Sequence, residues 1–471
     1  MNRLHKLAFS SLAALALAGC GGVGPDYVAP IPAPPTQGAF VSQTLAPVTG
    51  DAAIEGRWWR LYDDPVLDRL VEEALANNKD VAVAVANIAK ARASLRGTKS
   101  DRLPQTDVGF GVNYGRLPAG QRAPGVDRED TYVETGLSVA YEVDLFGRIS
   151  RNVEASRADL AEAEAERDAV RVAVAAETAR AYADLNSATE RLGVAERIVQ
   201  LIDQTATLTG KRYDAGRSTR LDLARSLALR DQQRALIPPL AAERDAARFR
   251  LATLTGRAPN ELPAEAGARG TTLRLDKPIP VGDGAALLSR RPDVRAAERR
   301  LAAQTARIGV ATADLYPRIT LGGSITSSSN NFASIFGGGP LGWLLGGLIS
   351  WNFPNQEATR ARIQGAEADA QGALASFDGT VLRALEETET AMSAYGHALD
   401  RRTALKSARD QAEVAARIAR AQQREGRVDF LVVLDAERTF AETEADLAEA
   451  DARIVTAQVN LFRALGGGWQ A

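Results

Sequence analysis

Residues 106–115 read TDVGFGVNYG and residues 132–144 read YVETGLSVAYEVD. In the first stretch Val108, Phe110, Val112 and Tyr114 fall on one side of an extended chain, and Asp107, Gly109, Gly111 and Asn113 on the other. In the second, Val133, Leu137, Val139, Tyr141 and Val143 oppose Glu134, Gly136, Ser138, Ala140, Glu142 and Asp144. Two later stretches repeat the pattern. In 318–327, Ile319, Leu321 and Ile325 oppose Thr320, Gly322, Ser324 and Thr326. In 341–353, Leu341, Trp343, Leu345, Ile349, Trp351 and Phe353 share a face, opposite a less cleanly polar set that includes Leu344 and Leu348. A period of two is the mark of a strand with one apolar and one polar face. Such strands fit an ordinary half-buried sheet over a helix layer. They also fit a membrane β-barrel, whose strands run about 10 residues, with Tyr114, Tyr141, Trp343 and Trp351 as boundary girdles.

The N-terminus favours the second reading. Residues 1–20 read MNRLHKLAFSSLAALALAGC, with Arg3 and Lys6 before an apolar run from Leu7 to Ala18. The run is too short to span as a helix and marks a secretory signal over 1–19. It ends Leu17-Ala18-Gly19-Cys20, which resembles the bacterial lipobox, and Cys20 is the single cysteine of the chain. Cys20 is therefore expected to become the lipidated first residue, anchored without spanning. Gly21 stands where lipoproteins kept in the inner membrane often carry Asp, which points to the outer membrane. Residues 20–62 are a Pro-rich strap, with Pro25, Pro30, Pro32, Pro34 and Pro35, that runs extended over a body starting near Trp58-Trp59.

That body is written twice. Asp80 and Leu103-Pro104 bound a helical pattern that Asp293 and Tyr316-Pro317 bound again, 213 positions on. Gly216 and Gly426, and Gly256 and Gly466, recur 210 positions apart. One repeat covers 63–256 and the other 285–466, joined by a Pro/Gly-rich linker at 257–284 and followed by a tail at 467–471. Each repeat orders a helical segment of about 40 residues, two strands, a very long helix, a Gly turn and a return helix. Residues 148–213 and 356–422 are dense in good helix formers. At 1.5 Å per residue each gives roughly 100 Å of coiled-coil-like helix.

Four strands cannot close a barrel of useful size, and an open edge in lipid leaves backbone groups unpaired at several kcal/mol each. Several chains must share the barrel. The strand-to-strand loops, 116–131 and 328–340, lie at the same end, so the helices continue from the other. Composition sets further limits. The 471 residues carry 57 Lys+Arg against 59 Asp+Glu, which argues against nucleic acid as a partner. One Cys, two His and two Met make a soft-metal site unpromising. There is no GxxxxGK[ST] loop, His5 leaves with the signal, and His397 stands alone in the long helix. Glu386-Glu387 reads as solvated helix-face charge. No catalytic set and no cofactor beyond a covalent lipid on Cys20 is expected, so the chain is not read as an enzyme.

Three stretches carry a family resemblance: Cys20 followed by Val23-Gly24-Pro25-Asp26-Tyr27; Arg290-Arg291-Pro292-Asp293-Val294-Arg295-Ala296-Ala297-Glu298; and Asp314-Leu315-Tyr316-Pro317-Arg318-Ile319. Together they resemble the outer membrane factors, the TolC-like exit ducts, and among them the NodT/OprM-like lipoproteins of tripartite efflux systems. The resemblance spans the mature chain. It implies a homotrimer with a 12-stranded barrel in the outer membrane and an α-helical tunnel in the periplasm. It also implies a periplasmic adaptor and a proton-driven inner-membrane pump as partners. The Arg-Pro-Asp motif itself has a plain physical reading: Pro292 suits the first helical position and Asp293 the positive helix end.

The tips of the helical hairpins are the candidate working parts. Around Gly216 the chain reads Tyr213 to Asp222, with Thr219 and Asp222 spaced as a capping box. Around Gly426 it reads Gln423 to Asp435, with Asp429 placed to cap the return helix. The resemblance implies that these tips form a periplasmic gate, with Leu431 as an apolar constriction, Asp435 as an acidic ring and Asp222 as a tip-to-tip hydrogen-bonding group. Two of them have a second reading: Asp222 as a cap, Leu431 as hairpin core. Gln423, Val428 and Val432 depart from the hydrogen-bonded latch of relatives, so a gate of Leu431 and Asp435 is the better expectation. The function expected is a passive exit duct for small molecules. A duct for type I protein secretion and a helical envelope lipoprotein without a pore are the alternatives.

Overall fold

The computed structural model describes residues 22–31, 33–50, 56–116, 118, 127, 129–329, 332–335, 337 and 341–469. The signal segment, Cys20 and most of the two strand-to-strand loops lie outside these residues.

Helix α1 (Pro65–Asn77) starts on Asp64, whose carboxylate accepts the N–H groups of Val66 and Leu67 at 2.9 and 3.2 Å. The helical segment expected as one piece of about 40 residues is two helices. Asn78 leaves the helix at ψ 137°, and its side chain caps α2 (Lys79–Ser100) through the N–H of Asp80 at 2.8 Å. In the second half α6 (Gly284–Arg290) and α7 (Pro292–Ala313) break at Arg291, because a residue before proline avoids the helical region. Helix α3 (Arg148–Asp214) runs 67 residues and α8 (Glu357–Arg424) 68. Asp144, read as a polar strand residue, caps α3 by accepting the N–H groups of Ile149 and Ser150 at 2.9 and 2.8 Å. The return helix of the first half is split into α4 (Arg220–Arg234) and α5 (Ile237–Leu254) where Pro238 and Pro239 remove two N–H donors. Its counterpart α9 (Phe430–Ala464) is continuous.

The duplication is visible in the turns. Gly216, Gly256, Gly426 and Gly466 all have φ between 69° and 73°. Each is followed by a residue whose N–H returns five positions: Arg217 to the Arg212 carbonyl, Arg257 to Ala252, Arg427 to Gln422 and Gly467 to Phe462. This is the Schellman ending, which needs a residue free to adopt the left-handed conformation.

Strands β1 (Gln105–Arg116), β2 (Glu129–Val143), β3 (Arg318–Ser329) and β4 (Leu341–Ser350) form one antiparallel sheet in that order. Val108, Leu137, Ile325 and Trp343 stand in one row, so the four apolar faces coincide. Trp343 is the third residue of β4 and stands two pairs from the loop end of its ladder with β3. Tyr114 and Tyr141 lie toward opposite ends. Trp351, just past β4, stacks on Phe353 at 4.8 Å and donates its indole N–H to the Leu315 carbonyl at 2.9 Å. Among the described residues the edge strands β1 and β4 have no partner on their outer sides, and every residue of β4 is exposed. Among the described residues no helix is long and apolar enough to cross a membrane.

By contacts the chain divides into two compact units. The first holds the strap up to Pro30, residues 88–163 and residues 296–377, including the sheet. Here two of the three stretches behind the family resemblance meet, through Tyr27 and Glu298. Arg151 donates to Asp26 at 2.6 Å, the Tyr27 hydroxyl donates to Glu298, and Asp314 accepts from Arg318 at 2.6 Å. The second unit, residues 31–87, 164–295 and 378–471, holds the main core around Trp58, Trp59, Tyr182, Tyr395 and Phe462. Trp58 stacks on Phe462 at 4.5 Å. The strap pairs Val48–Thr49 with Ile279–Pro280 of the linker. It crosses α8 where Gly396 has no side chain to meet the Leu45 carbonyl.

Arg291 ties this unit together. Its buried guanidinium donates to Asp293 at 2.7 and 3.0 Å, to Glu387 of α8 at 2.7 Å and to the carbonyl of Ala464, the last residue of α9, at 2.9 Å. Glu386 and Glu387 are exposed, as expected, and Glu387 in addition pairs with Arg291. The Arg-Pro-Asp motif is thus a three-helix staple as well as a helix start. Arg291→Ala should lower stability by about 2 kcal/mol, the scale of charge-assisted hydrogen bonds. Arg291→Lys should recover part of this, lacking the planar fork. Guanidinium unfolding of the detergent-solubilised protein measures both.

Candidate functional site

The two tips belong to the second unit. At the first, Thr219 and Asp222 form the expected capping box. The Thr219 hydroxyl accepts the Asp222 N–H at 3.1 Å, and the Asp222 carboxylate accepts the Thr219 N–H at 3.0 Å. The same carboxylate takes the hydroxyls of Thr219 and Ser218 at 2.7 and 3.2 Å. The Thr219 hydroxyl and N–H hold the Asp222 carboxyl below the ordinary carboxylate range. Asp222 is therefore turned into its own helix start.

At the second tip, Asp429 occupies the N-cap position of α9, but its side chain makes no capping bond. Its backbone carbonyl accepts the Val432 N–H at 3.1 Å. Helix periodicity then divides the residues. Phe430, Val433, Glu437 and Ala441 are buried, while Leu431 and Val432 are about half exposed, at 47 % and 50 %. Leu431 and Asp435 lie four apart on one open face. So Leu431 is not hairpin core.

Two groups on α9 went unread in the sequence. Arg438 donates to Asp435 at 2.8 Å, so the expected acidic position is a carboxylate paired within its own chain. Its spacing of three was the available signal. Glu437, on the opposite face, is buried and accepts the Thr205 hydroxyl of α3 at 2.8 Å. Arg420 of α8 stands 3.9 Å away. Burial pushes the Glu437 carboxyl up. Nothing in the sequence distinguishes this glutamate from its solvated neighbours, because the burial comes from α3. Beside it a groove of about 490 Å³ is lined by Arg212, Arg417, Arg420 and Arg424, with Thr205 and Thr209. Val428, half-buried, offers no hydrogen-bonding side chain, and the Gln423 carbonyl accepts the Gly426 N–H at 3.1 Å.

Among the other sequence candidates, His397 is exposed on α8, 3.9 Å from Asp400.

Thr219→Ala should weaken the first turn of α4 by about 1 kcal/mol, a roughly fivefold faster hydrogen exchange at Leu221–Leu223. The Asp222 contribution has a definite sign with pH. Its folded value is depressed, so its stabilisation is complete above the ordinary value near 4 and is lost as pH falls through the folded value. Protection of these amides, measured relative to their intrinsic exchange rates, should fall below about pH 4 in the wild type and show no such fall in Asp222→Asn.

A protein-family model described as outer membrane efflux protein matches residues 70–257 and 285–467. The outer membrane protein OprJ of Pseudomonas aeruginosa is 32 % identical over 472 residues, covering 99 % of this chain and 97 % of the relative. The pyoverdine export outer membrane protein OpmQ of Pseudomonas putida is 31 % identical over 455 residues, covering 93 % of this chain and 94 % of the relative. Among solved structures, the outer-membrane channel OprN superposes with a TM-score of 0.88 at 38 % identity, over 95 % of this chain and 100 % of that one. The long helical hairpins, the four-strand sheet and the two matched segments agree: this chain belongs to the outer membrane efflux protein family.

Proposed function

We propose that three copies of this chain close a 12-stranded barrel and that the hairpin tips gate the duct so formed. The observation that carries this is the sheet: two unpaired edge strands flank an apolar face that is bare in the single chain. Pairing β4 of one copy with β1 of the next removes both edges, as a bilayer requires. Family membership makes the chain a passive outer-membrane exit duct of an efflux system, without catalysis of its own. A periplasmic adaptor and an inner-membrane pump are its partners in such a system, and a proton-driven pump is the kind this reading favours. Small molecules are the cargo this reading favours over secreted proteins. Relatives named for pyoverdine export, solvent efflux and toluene efflux support it. Cys20 is the lipid anchor, and a relative described as a probable outer membrane lipoprotein supports this assignment. Mass measurement of the detergent-solubilised protein should give three chains; one or two would overturn the shared barrel.

At the mouth, Leu431 supplies the apolar constriction and Asp435 the charge. Charge in a narrow opening focuses potential and selects counter-ions. Because Arg438 pairs with Asp435 in the same chain, the ring is a mixed one. Asp435→Asn should lower cation-over-anion permeability, and Arg438→Gln should raise it. Each shift should be about 1 kcal/mol, roughly fivefold in permeability ratio. Reversal potentials in planar bilayers measure both. Unchanged values in the two variants would remove Asp435 from the gate.

A further inference from the structure

The apolar face of the sheet is not smooth. Gly323 of β3 lies in a row between Val139 and Leu345, on the face that carries Leu321 and Ile325. With Leu137 and Trp343 in the neighbouring row, these side chains wall a dimple of about 470 Å³. A Cβ at Gly323 would stand 3.2 Å from the Leu344 carbonyl and 3.3 Å from Leu345 Cδ1, so the dimple has a floor of backbone.

The chain reaches the foot of this sheet at a fixed point. The N–H of Val23 donates to the Phe146 carbonyl at 3.1 Å. Gly147, at φ 78°, meets the Cα of Gly22 where any side chain would collide. The Arg151 guanidinium donates to the carbonyls of Gly22, Val23 and Gly24 at 3.3 to 3.4 Å, besides its bond to Asp26. Aromatic rings surround this point. Phe146 stacks on Tyr316 at 4.5 Å, and the Trp351–Phe353 stack lies just beyond β4. Aromatic rings of this kind collect at the water boundary of a membrane. Position 20 is thus two residues from a clamp at that boundary.

We propose that the acyl chain on Cys20 lies along β2 and seats in the dimple over Gly323. The proposal rests on the reading of Cys20 as acylated. The lengths agree. From Val143 at the foot to Val139 beside Gly323 is four strand residues, about 14 Å. An acyl chain fills one leaflet, about half of the roughly 30 Å hydrocarbon core. The clamp at Gly22 distinguishes this chain from bulk lipid, since its first carbons are held beside the strand that leads to the site. Seating it there would also fix the strap against the sheet at two points.

The test uses the full-length protein in membranes of cells fed a palmitate analogue with a mid-chain photoreactive diazirine. After irradiation, peptides joined to the acylated N-terminal peptide are mapped by mass spectrometry. Joined peptides should concentrate on Val139, Ile325 and Trp343, at least fivefold over those on Val108 and Val112 of β1. Gly323→Val, which fills the dimple, should scatter them. An even spread over the strands, capture of bulk lipid alone, or an unchanged map in Gly323→Val would overturn the seat while leaving the anchor. An N-terminal peptide without acyl mass would overturn the anchor as well. If Gly323→Val does not fold, the wild-type map alone decides.

Discussion

The peptide groups on the outer sides of β1 and β4 set the terms for everything else in this protein. A sheet of four strands with an apolar face has to lie in lipid, and lipid offers no hydrogen bonds to an open edge. In the proposed assembly another copy of the same edge pair meets the requirement. The single chain is therefore an incomplete object by construction. Its low mean hydropathy of -0.18 fits strands that are polar on one face and a helix α8 whose residues are mostly exposed.

The helices answer a different demand. Helices of 67 and 68 residues cannot be held by propensity alone and need neighbours along their length. The gene duplication supplies them as two hairpins with the same punctuation, seen in the paired Schellman turns at Gly216 and Gly426 and at Gly256 and Gly466. The halves then diverge at their tips. The first tip is closed by a complete capping box on Thr219 and Asp222. The second has an uncapped Asp429 and presents Leu431 and Asp435 on an open face. A tip with fewer internal bonds has less to break when it moves, which suits the second tip to the gating role proposed for it.

Much of this was legible in the chain because it rests on local rules. The strand faces followed from alternation, and the register confirms them, from Val108 to Trp343 across all four strands. The glycine turns followed from spacing. The capping box followed from Thr219 and Asp222. What was misread lay where a local signal had two outcomes. Asp144 continued the strand alternation but serves as a helix cap. Glu387 is the exposed helix-face charge it was read as, but its partner Arg291, 96 residues away, was not foreseen. The expected 40-residue helical segments are broken at Asn78 and Arg291, where a capping side chain and a following proline outweigh the surrounding helix formers.

By itself the sequence determined the alternating strands, the repeat, the turn positions and the lipobox-like address, since each depends on residues within a turn or two of one another. The tertiary structure decided which charges are paired and which are buried. Glu437 is sealed by Thr205 of a helix more than two hundred residues earlier, Glu387 is paired by Arg291, and Arg151 clamps the strap. Those outcomes depend on which helix faces meet, and burial sets the energy of a charge far more than its neighbours in sequence do.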